Sequence, residues 1–293
     1  GWFRSGVRIE DEAFDARLDF RHASPGAGWL SVDGLVNLVE VTAAIDIDAR
    51  LSLGGTLTVD VQAPALDIPG PVTWQYDSPS LRVVGEQGGD INLSGTANTL
   101  LIVDGIGNRL AFSEPALDFK LTSEAPETVS GRLLLSAQRV GQNESRMVVN
   151  FSSLNATAAG ELIESLRQLA DAEPDSAAAG LGAIGAANAW QQIAASGLAV
   201  ELEELELDGQ ARLSGRWVPD NRALTLNGGG DRATIIDWWS NVVGLAQQIP
   251  PEEGRSLARR ALEDLAAQGA ITVDRGQIMV TIDGLPQGDG VIE

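Results

Sequence analysis

Along residues 43–53 apolar and polar side chains alternate without a break. Ile45, Ile47, Ala49, Leu51 and Leu53 fall on one face, and Asp46, Asp48, Arg50 and Ser52 on the other. A period of two with one apolar and one polar face marks an antiparallel strand, one side on a core and the other in water. Gly54-Gly55 interrupts the pattern and Thr56-Leu57-Thr58-Val59-Asp60-Val61 resumes it. The same grammar repeats through residues 1–152, with strands expected near 14–21, 28–40, 42–53, 55–62, 71–76, 80–85, 90–95, 98–104, 109–113, 116–123, 130–139 and 145–152. Pro69-Gly70-Pro71, Gly88-Gly89-Asp90, Asp104-Gly105, Gly107-Asn108 and Gly141-Gln142-Asn143 supply the turns. Short strands joined by tight turns predict a meander, laid out as a curved sheet, a sandwich or a barrel.

The period then lengthens. Leu162, Ile163, Leu166, Leu169 and Ala170 recur at helical spacing after Asn155 and Thr157, either of which can cap. The Ala/Gly-rich stretch 176–196 predicts a helix only in its second half, around 186–195, because its glycines weaken the first. Strands return at 198–207, 210–218 and 223–226. Thr234 and Asp237 have capping-box spacing, and Ile235, Trp239, Val242 and Ala246 share one face of the helix that follows. Pro250-Pro251-Glu252-Glu253 opens another helix, Leu257, Ala261, Leu262 and Leu265 face inward along it, and Gly269 closes it. A hairpin, 270–273 with 277–282, ends the ordered pattern. The chain thus divides into a β-rich block 1–152, a helical segment 153–197 and an α+β closing unit 198–293. The predicted class is α+β: a large, mainly antiparallel sheet with helices from the C-terminal half packed against it.

Charge narrows the partners. The formal net charge is −21 over 293 residues, with 41 acids against 20 basic side chains. Nucleic acid is excluded as a partner on this ground, since phosphates need clustered Lys and Arg. Anionic bilayer surfaces are disfavoured for the same reason. Cysteine is absent and there is one histidine, His22. Disulfides, thiolate metal sites and a cysteine nucleophile are thereby excluded, and a His-rich metal site cannot be built. No G-x-S-x-G accompanies His22.

The motifs that could carry chemistry dissolve on inspection. Asp46, Asp48 and Asp60 alternate with apolar residues inside strands and lack the loop grammar of a calcium site. Glu201, Glu203, Glu204 and Glu206 face water while Leu202, Leu205 and Leu207 are buried. Gly228-Gly229-Gly230-Asp231 lacks the Gly-Lys-Ser/Thr ending of a phosphate loop and reads as a flexible turn that delivers Asp231 to a helix start. The expectation is therefore a protein that is not an enzyme, with no catalytic residues, no metal and no cofactor.

The candidate binding residues are Leu181, Ile184, Trp190, Trp238 and Trp239, which could frame an apolar groove for acyl chains or for another envelope protein. The opening Gly1-Trp2-Phe3-Arg4-Ser5, the strand repeat Leu93-Ser94-Gly95-Thr96, the passage Val148-Val149-Asn150-Phe151 leading into a helix, and the closing Leu265-Ala266-Ala267-Gln268-Gly269 before a hairpin resemble the YdgA-like family of bacterial envelope proteins, within the AsmA-like group. The resemblance covers most of the chain. It implies a periplasm-facing protein without catalytic residues, held at the inner membrane by an N-terminal helix that this chain does not carry, or otherwise secreted. It also implies lipid binding or assistance to outer-envelope lipid homeostasis. The contrasting expectation is a secreted or surface structural, adhesin-like β-protein of a salt-adapted organism.

Overall fold

The strands form a single antiparallel sheet in which sequence neighbours are, almost throughout, spatial neighbours. The computed structural model describes residues 2–10, 13–21, 46–51, 56–68, 70, 72–86, 89–125, 127–172, 176–220 and 223–283. His22 and the strand expected near 28–40 lie outside them. The first twelve strand segments are β1 (Trp2–Glu10), β2 (Ala13–Arg21), β3 (Asp46–Leu51), β4 (Leu57–Gln62), β5 (Ala65–Ile68), β6 (Val72–Asp77), β7 (Ser80–Gly85), β8 (Ile91–Thr96), β9 (Thr99–Asp104), β10 (Arg109–Ala125), β11 (Thr128–Arg139) and β12 (Glu144–Asn155). Helices α1 (Ala156–Asp171) and α2 (Ala177–Ala195) follow, then β13 (Ala199–Leu207), β14 (Ala211–Val218) and β15 (Ala223–Asp231). Helices α3 (Arg232–Gln247) and α4 (Pro251–Ala267) lead into the last hairpin, β16 (Ile271–Asp274) and β17 (Gln277–Asp283). The curved meander is the expected one.

Three pairs of these segments are single long strands, so the 17 segments among the described residues make 14 strands. β4 with β5 pairs against β6 with β7 in one unbroken register, from Leu57↔Gly85 to Ile68↔Trp74. The next neighbour, β8 with β9, keeps one register in the same way. The interruptions align into a crease that crosses four strands at Ala63-Pro64, Ser78-Pro79, Ala97-Asn98 and Glu114-Pro115. Prolines sit at this line because they cannot donate to a ladder. Ser78 and Glu114 take left-handed φ values of 48° and 50°.

The crease also resets side-chain alternation. Ala63 N donates to Pro79 O at 3.1 Å, and in the very next row Ser78 N donates to Pro64 O at 2.8 Å. A regular antiparallel ladder exchanges bonds only in alternate rows. Apolar positions accordingly switch from odd (Val59, Val61, Leu81, Val83, Leu93, Phe119) to even (Leu66, Ile68, Val72, Tyr76, Leu100, Phe112) while staying on one face. On β10 the device is a bulge between Ser113 and Ala116, opposite β11. β11 itself alternates regularly, and its Ala137 and Leu133 link the two apolar sets.

The four helices among the described residues all cover this face. Leu100, Ile102, Leu110 and Phe112 pack beneath Trp238 and Leu245 of α3. Ala158 of α1 and Ile193 of α2 meet Leu198 and Phe151. Leu262 of α4 meets Ile271, Ile278 and Trp239. The other face carries cross-strand ion pairs across β11–β14: Arg132–Glu203 at 3.3 Å, Arg146–Glu204 at 3.6 Å and Arg212–Glu206 at 3.1 Å. Exposed pairs of this kind contribute about 0–1 kcal/mol each.

Three expectations change. Gly228, Gly229 and Gly230 form no turn: they lie inside β15, where a Cβ on Gly228 would sit 2.2 Å from Arg212 O and one on Gly230 would sit 2.3 Å from Ala211 Cα. Only glycine lets β14 come that close. α2 is helical throughout rather than only over 186–195, because Ser176 caps it (Oγ accepts from Ala179 N at 3.1 Å) and its small residues are what α1 packs against. The α3 cap is Asp231, whose carboxylate accepts from Thr234 N at 2.8 Å, and Val242 and Ala246 are exposed instead of facing the core. α3 lies in the angle between sheet and α4, so its buried stripe runs through Ile235, Trp238 and Trp239. The β12 ladder passes directly to β13, so strands on either side of residues 153–197 belong to one sheet.

Candidate functional site

The five residues expected to frame one groove occupy separate environments. Trp238 packs on Phe112, with ring centroids 6.1 Å apart. Trp239 lies in the cluster around Leu262 and Ile278. Trp190 stacks on Trp217 of β14 at 5.7 Å and 16°. Leu181 and Ile184 stand on the outer part of α2, 69% and 60% exposed. Two features emerge in place of the groove, one apolar and one polar.

The apolar feature is the α1–α2 hairpin. Asn155 caps α1 by accepting from Ala158 N at 2.8 Å. At the root, Ala158, Ala189 and Ile193 are buried, and the Ser196 hydroxyl donates to Ser153 O of β12 at 2.7 Å. The helices approach so closely that a Cβ on Gly182 would lie 3.2 Å from the backbone of Ser165 and Leu169. Small residues therefore fill the seam, and the large ones face outward. Ile163 (69% exposed), Leu166 and Leu169 on α1 join Leu181 and Ile184 on α2 as uncovered apolar surface at the outer end. No charged residue occurs from 176 to 200. No helix among the described residues is long and apolar enough to cross a membrane.

The polar feature lies at the opposite end of β11. Asp208, in the β13–β14 turn, has a φ of 51° and is 2% exposed. Its carboxylate accepts from Arg139 Nη2 at 2.8 Å, Trp238 Nε1 at 2.9 Å and Ser145 Oγ at 3.2 Å. Asn143 Nδ2 donates to its backbone carbonyl at 3.0 Å. Arg139 Nη1 also donates to the Asp237 carboxylate, and its guanidinium carbon stands 5.3 Å over the Trp238 ring. A buried charge holds such a place only when paired and hydrogen-bonded. This network ties the ends of β11 and β12, the β13–β14 turn and α3 together.

Beside it opens a cleft of about 790 Å³, walled by Arg139, Asp208, Asp231, Arg232, Asp237, Arg255 and Arg259. It contains no nucleophile beside a free base: each of its carboxylates already accepts from a named donor. No group of three or more metal-ligating side chains exists among the described residues. One sequence signal for the cleft was available. Arg232 and Arg255 sit early in α3 and α4, where the helix dipole favours anions rather than cations. Asp208-Gly209 announced only a hairpin turn.

Comparison of the chain with protein-family models, curated proteins and solved structures finds no match. The functional reading therefore rests on the fold and these two features.

Proposed function

We propose that this chain is a non-enzymatic bacterial cell-envelope protein, periplasm-facing, that engages lipid acyl chains through the outer end of its α1–α2 hairpin. The observation that carries the reading is the uncovered set Ile163, Leu166, Leu169, Leu181 and Ile184 on a hairpin whose root alone is packed. Burying a side chain of this size contributes about 1.5–3 kcal/mol relative to leaving it in water. Leaving several exposed at one end of a hairpin is favourable only if something apolar receives them. A charge-free α2 meets hydrocarbon without desolvating an ion. The resemblance to AsmA-like envelope proteins supports the compartment and the lipid class of ligand.

Co-flotation with phosphatidylcholine vesicles tests this directly, since the net charge of −21 disfavours anionic headgroups. The wild-type chain floats, and a Leu181→Ser/Ile184→Ser variant with unchanged circular dichroism stays in the dense fraction. Equal behaviour of the two proteins, together with no lipid in organic extracts of purified protein, overturns the reading in favour of a structural module.

A further inference from the structure

We propose that the cleft at the feet of α3 and α4 is a binding site for a phosphate-type oxyanion. The inference is independent of the hairpin, which lies at the other end of the sheet, so either can fail alone. Four guanidinium groups converge on one cavity of a chain whose net charge is −21. Three of them come from a 28-residue stretch folded back on itself, 232–259: Arg232 opens α3, while Arg255 and Arg259 stand one turn apart on α4. Like charges at that spacing on a helix repel. Their shared orientation into a cavity costs stability unless an anion offsets it.

The acids of the cleft do not supply that anion. Asp208 is saturated by Arg139, Trp238 and Ser145. Asp231 accepts from the backbone N and the hydroxyl of Thr234, at 2.8 and 3.1 Å. Asp237 accepts from Arg139, and its second oxygen lies 3.8 Å from Arg255. The remaining partners are loose: Arg255 lies 3.5 Å from Glu252, which is 89% exposed, and Arg232 lies 3.7 Å from Glu263, which is 68% exposed. Among the described residues Arg259 has no ion-pair partner. Three arginines thus retain donors on the cleft side, and Arg139 forms a fixed, nearly buried wall with only 12% of its side chain exposed.

Two of the first three amides of α3 are already taken, because Arg232 N donates to Gly276 O at 2.8 Å and Thr234 N to Asp231. Recognition rests on guanidinium forks, which match the geometry of phosphate oxygens better than an ammonium does. A cavity of about 790 Å³ has room for a phosphate ester or a polyphosphate as well as for inorganic phosphate.

The test is isothermal titration of the full chain with inorganic phosphate and with pyrophosphate at constant ionic strength, alongside phosphatidylcholine vesicles with and without phosphatidic acid. Arg255→Gln and Arg259→Gln are each expected to weaken binding by about tenfold, as loss of a charge-assisted contact does. Arg132→Gln, which removes the same charge from the opposite face, is expected to change it less than about twofold. Arginine-dependent binding of pyrophosphate establishes a soluble ligand. Arginine-dependent binding only of phosphatidic-acid vesicles establishes a lipid headgroup. Binding of pyrophosphate and of phosphatidic-acid vesicles that is absent or unchanged by Arg255→Gln and Arg259→Gln, or an equal loss on Arg132→Gln, overturns the site.

Discussion

The two helix pairs lie on the same face of the same sheet and are built on opposite plans. Both cross at glycine: Gly182 meets Ser165 and Leu169 in α1–α2, and a Cβ on Gly254 would stand 2.8 Å from Ser240 O in α3–α4. Outside the crossing they part. α3–α4 turns its large residues, Ile235, Trp238, Trp239 and Leu262, onto the sheet and exposes arginines and glutamates. α1–α2 docks through Ala158, Leu162 and Ile193 at its root, with Trp190 stacked on Trp217, and leaves Ile163, Leu166, Leu169, Leu181 and Ile184 in water. The first pair completes the core and, with Asp208, fixes one end of the sheet. The second is a protrusion. A helix pair that stabilises a fold and one that recruits a partner therefore differ in where their large side chains point, and overall apolarity does not tell them apart.

Four measurements test whether the two helix pairs differ in this way. The largest effect belongs to the α3 side. Asp208→Ala takes the acceptor from Arg139 Nη2, Trp238 Nε1 and Ser145 Oγ, and breaking a buried pair by removing one partner costs about 3–5 kcal/mol. Urea unfolding followed by circular dichroism should show a midpoint shift of that size, and a shift under about 1 kcal/mol would mean that the existing Asp237 contact and water suffice to hold Arg139. Leu262→Ala should come close behind, at about 2–5 kcal/mol, because its cavity opens beneath both α3 and β16. Chemical denaturation reads this too, and the same truncation at Leu181 should leave the curve within about 0.5 kcal/mol of wild type. Equal losses at the two leucines would erase the distinction between the helix pairs.

Gly182→Leu should cost about 1–3 kcal/mol by forcing α1 and α2 apart. Its diagnostic is locality: hydrogen exchange should accelerate in residues 156–195 and stay unchanged in α3–α4. The smallest effect concerns Tyr76, the chain's one tyrosine, which packs on the cluster beneath α3. Burial raises its phenol pKa. The folded value then lies above the unfolded one of about 10, so the stability it contributes is intact below that pH and is lost as pH rises through the folded value. Absorbance at the phenolate band reports this group alone. A midpoint at or below that of denatured protein, or an alkaline stability loss that survives Tyr76→Phe, would contradict the packing of α3 there.

Much of the fold was legible in the residues, and for identifiable reasons. The period of two through Leu57, Val59 and Val61 and the period of 3.6 through Leu162, Leu166 and Leu169 are local signals, because each reports the geometry of its own backbone. Asn155 as cap, Pro251 at the first turn of α4 and Gly269 after its end were readable from short-range hydrogen bonding and φ alone. The glycines of β15 were misread as a turn because their necessity comes from Arg212 and Ala211, on a different strand. The same limit applies to α2, whose glycines look like helix breakers until α1 is laid against them.

The site shows the boundary most clearly. Exposed Leu181 and Ile184 could be nominated from sequence, since a charge-free Ala/Gly segment advertises its few large side chains. The gathering of Arg139, Arg232, Arg255 and Arg259 could not, because those residues span 121 positions and meet only when the meander, the crease and the α3–α4 fold-back are all in place. The α+β class, the antiparallel meander, the order of elements and most helix ends follow from the order of residues, since each depends on periodicity or on hydrogen bonds within a few residues. Long-range packing sets the rest: that apolar residues keep one face across the crease, that Asp208 is buried while its neighbouring glutamates are not, and which helix pair is left uncovered. Those outcomes depend on which distant backbone or side chain arrives alongside, and no local pattern encodes that.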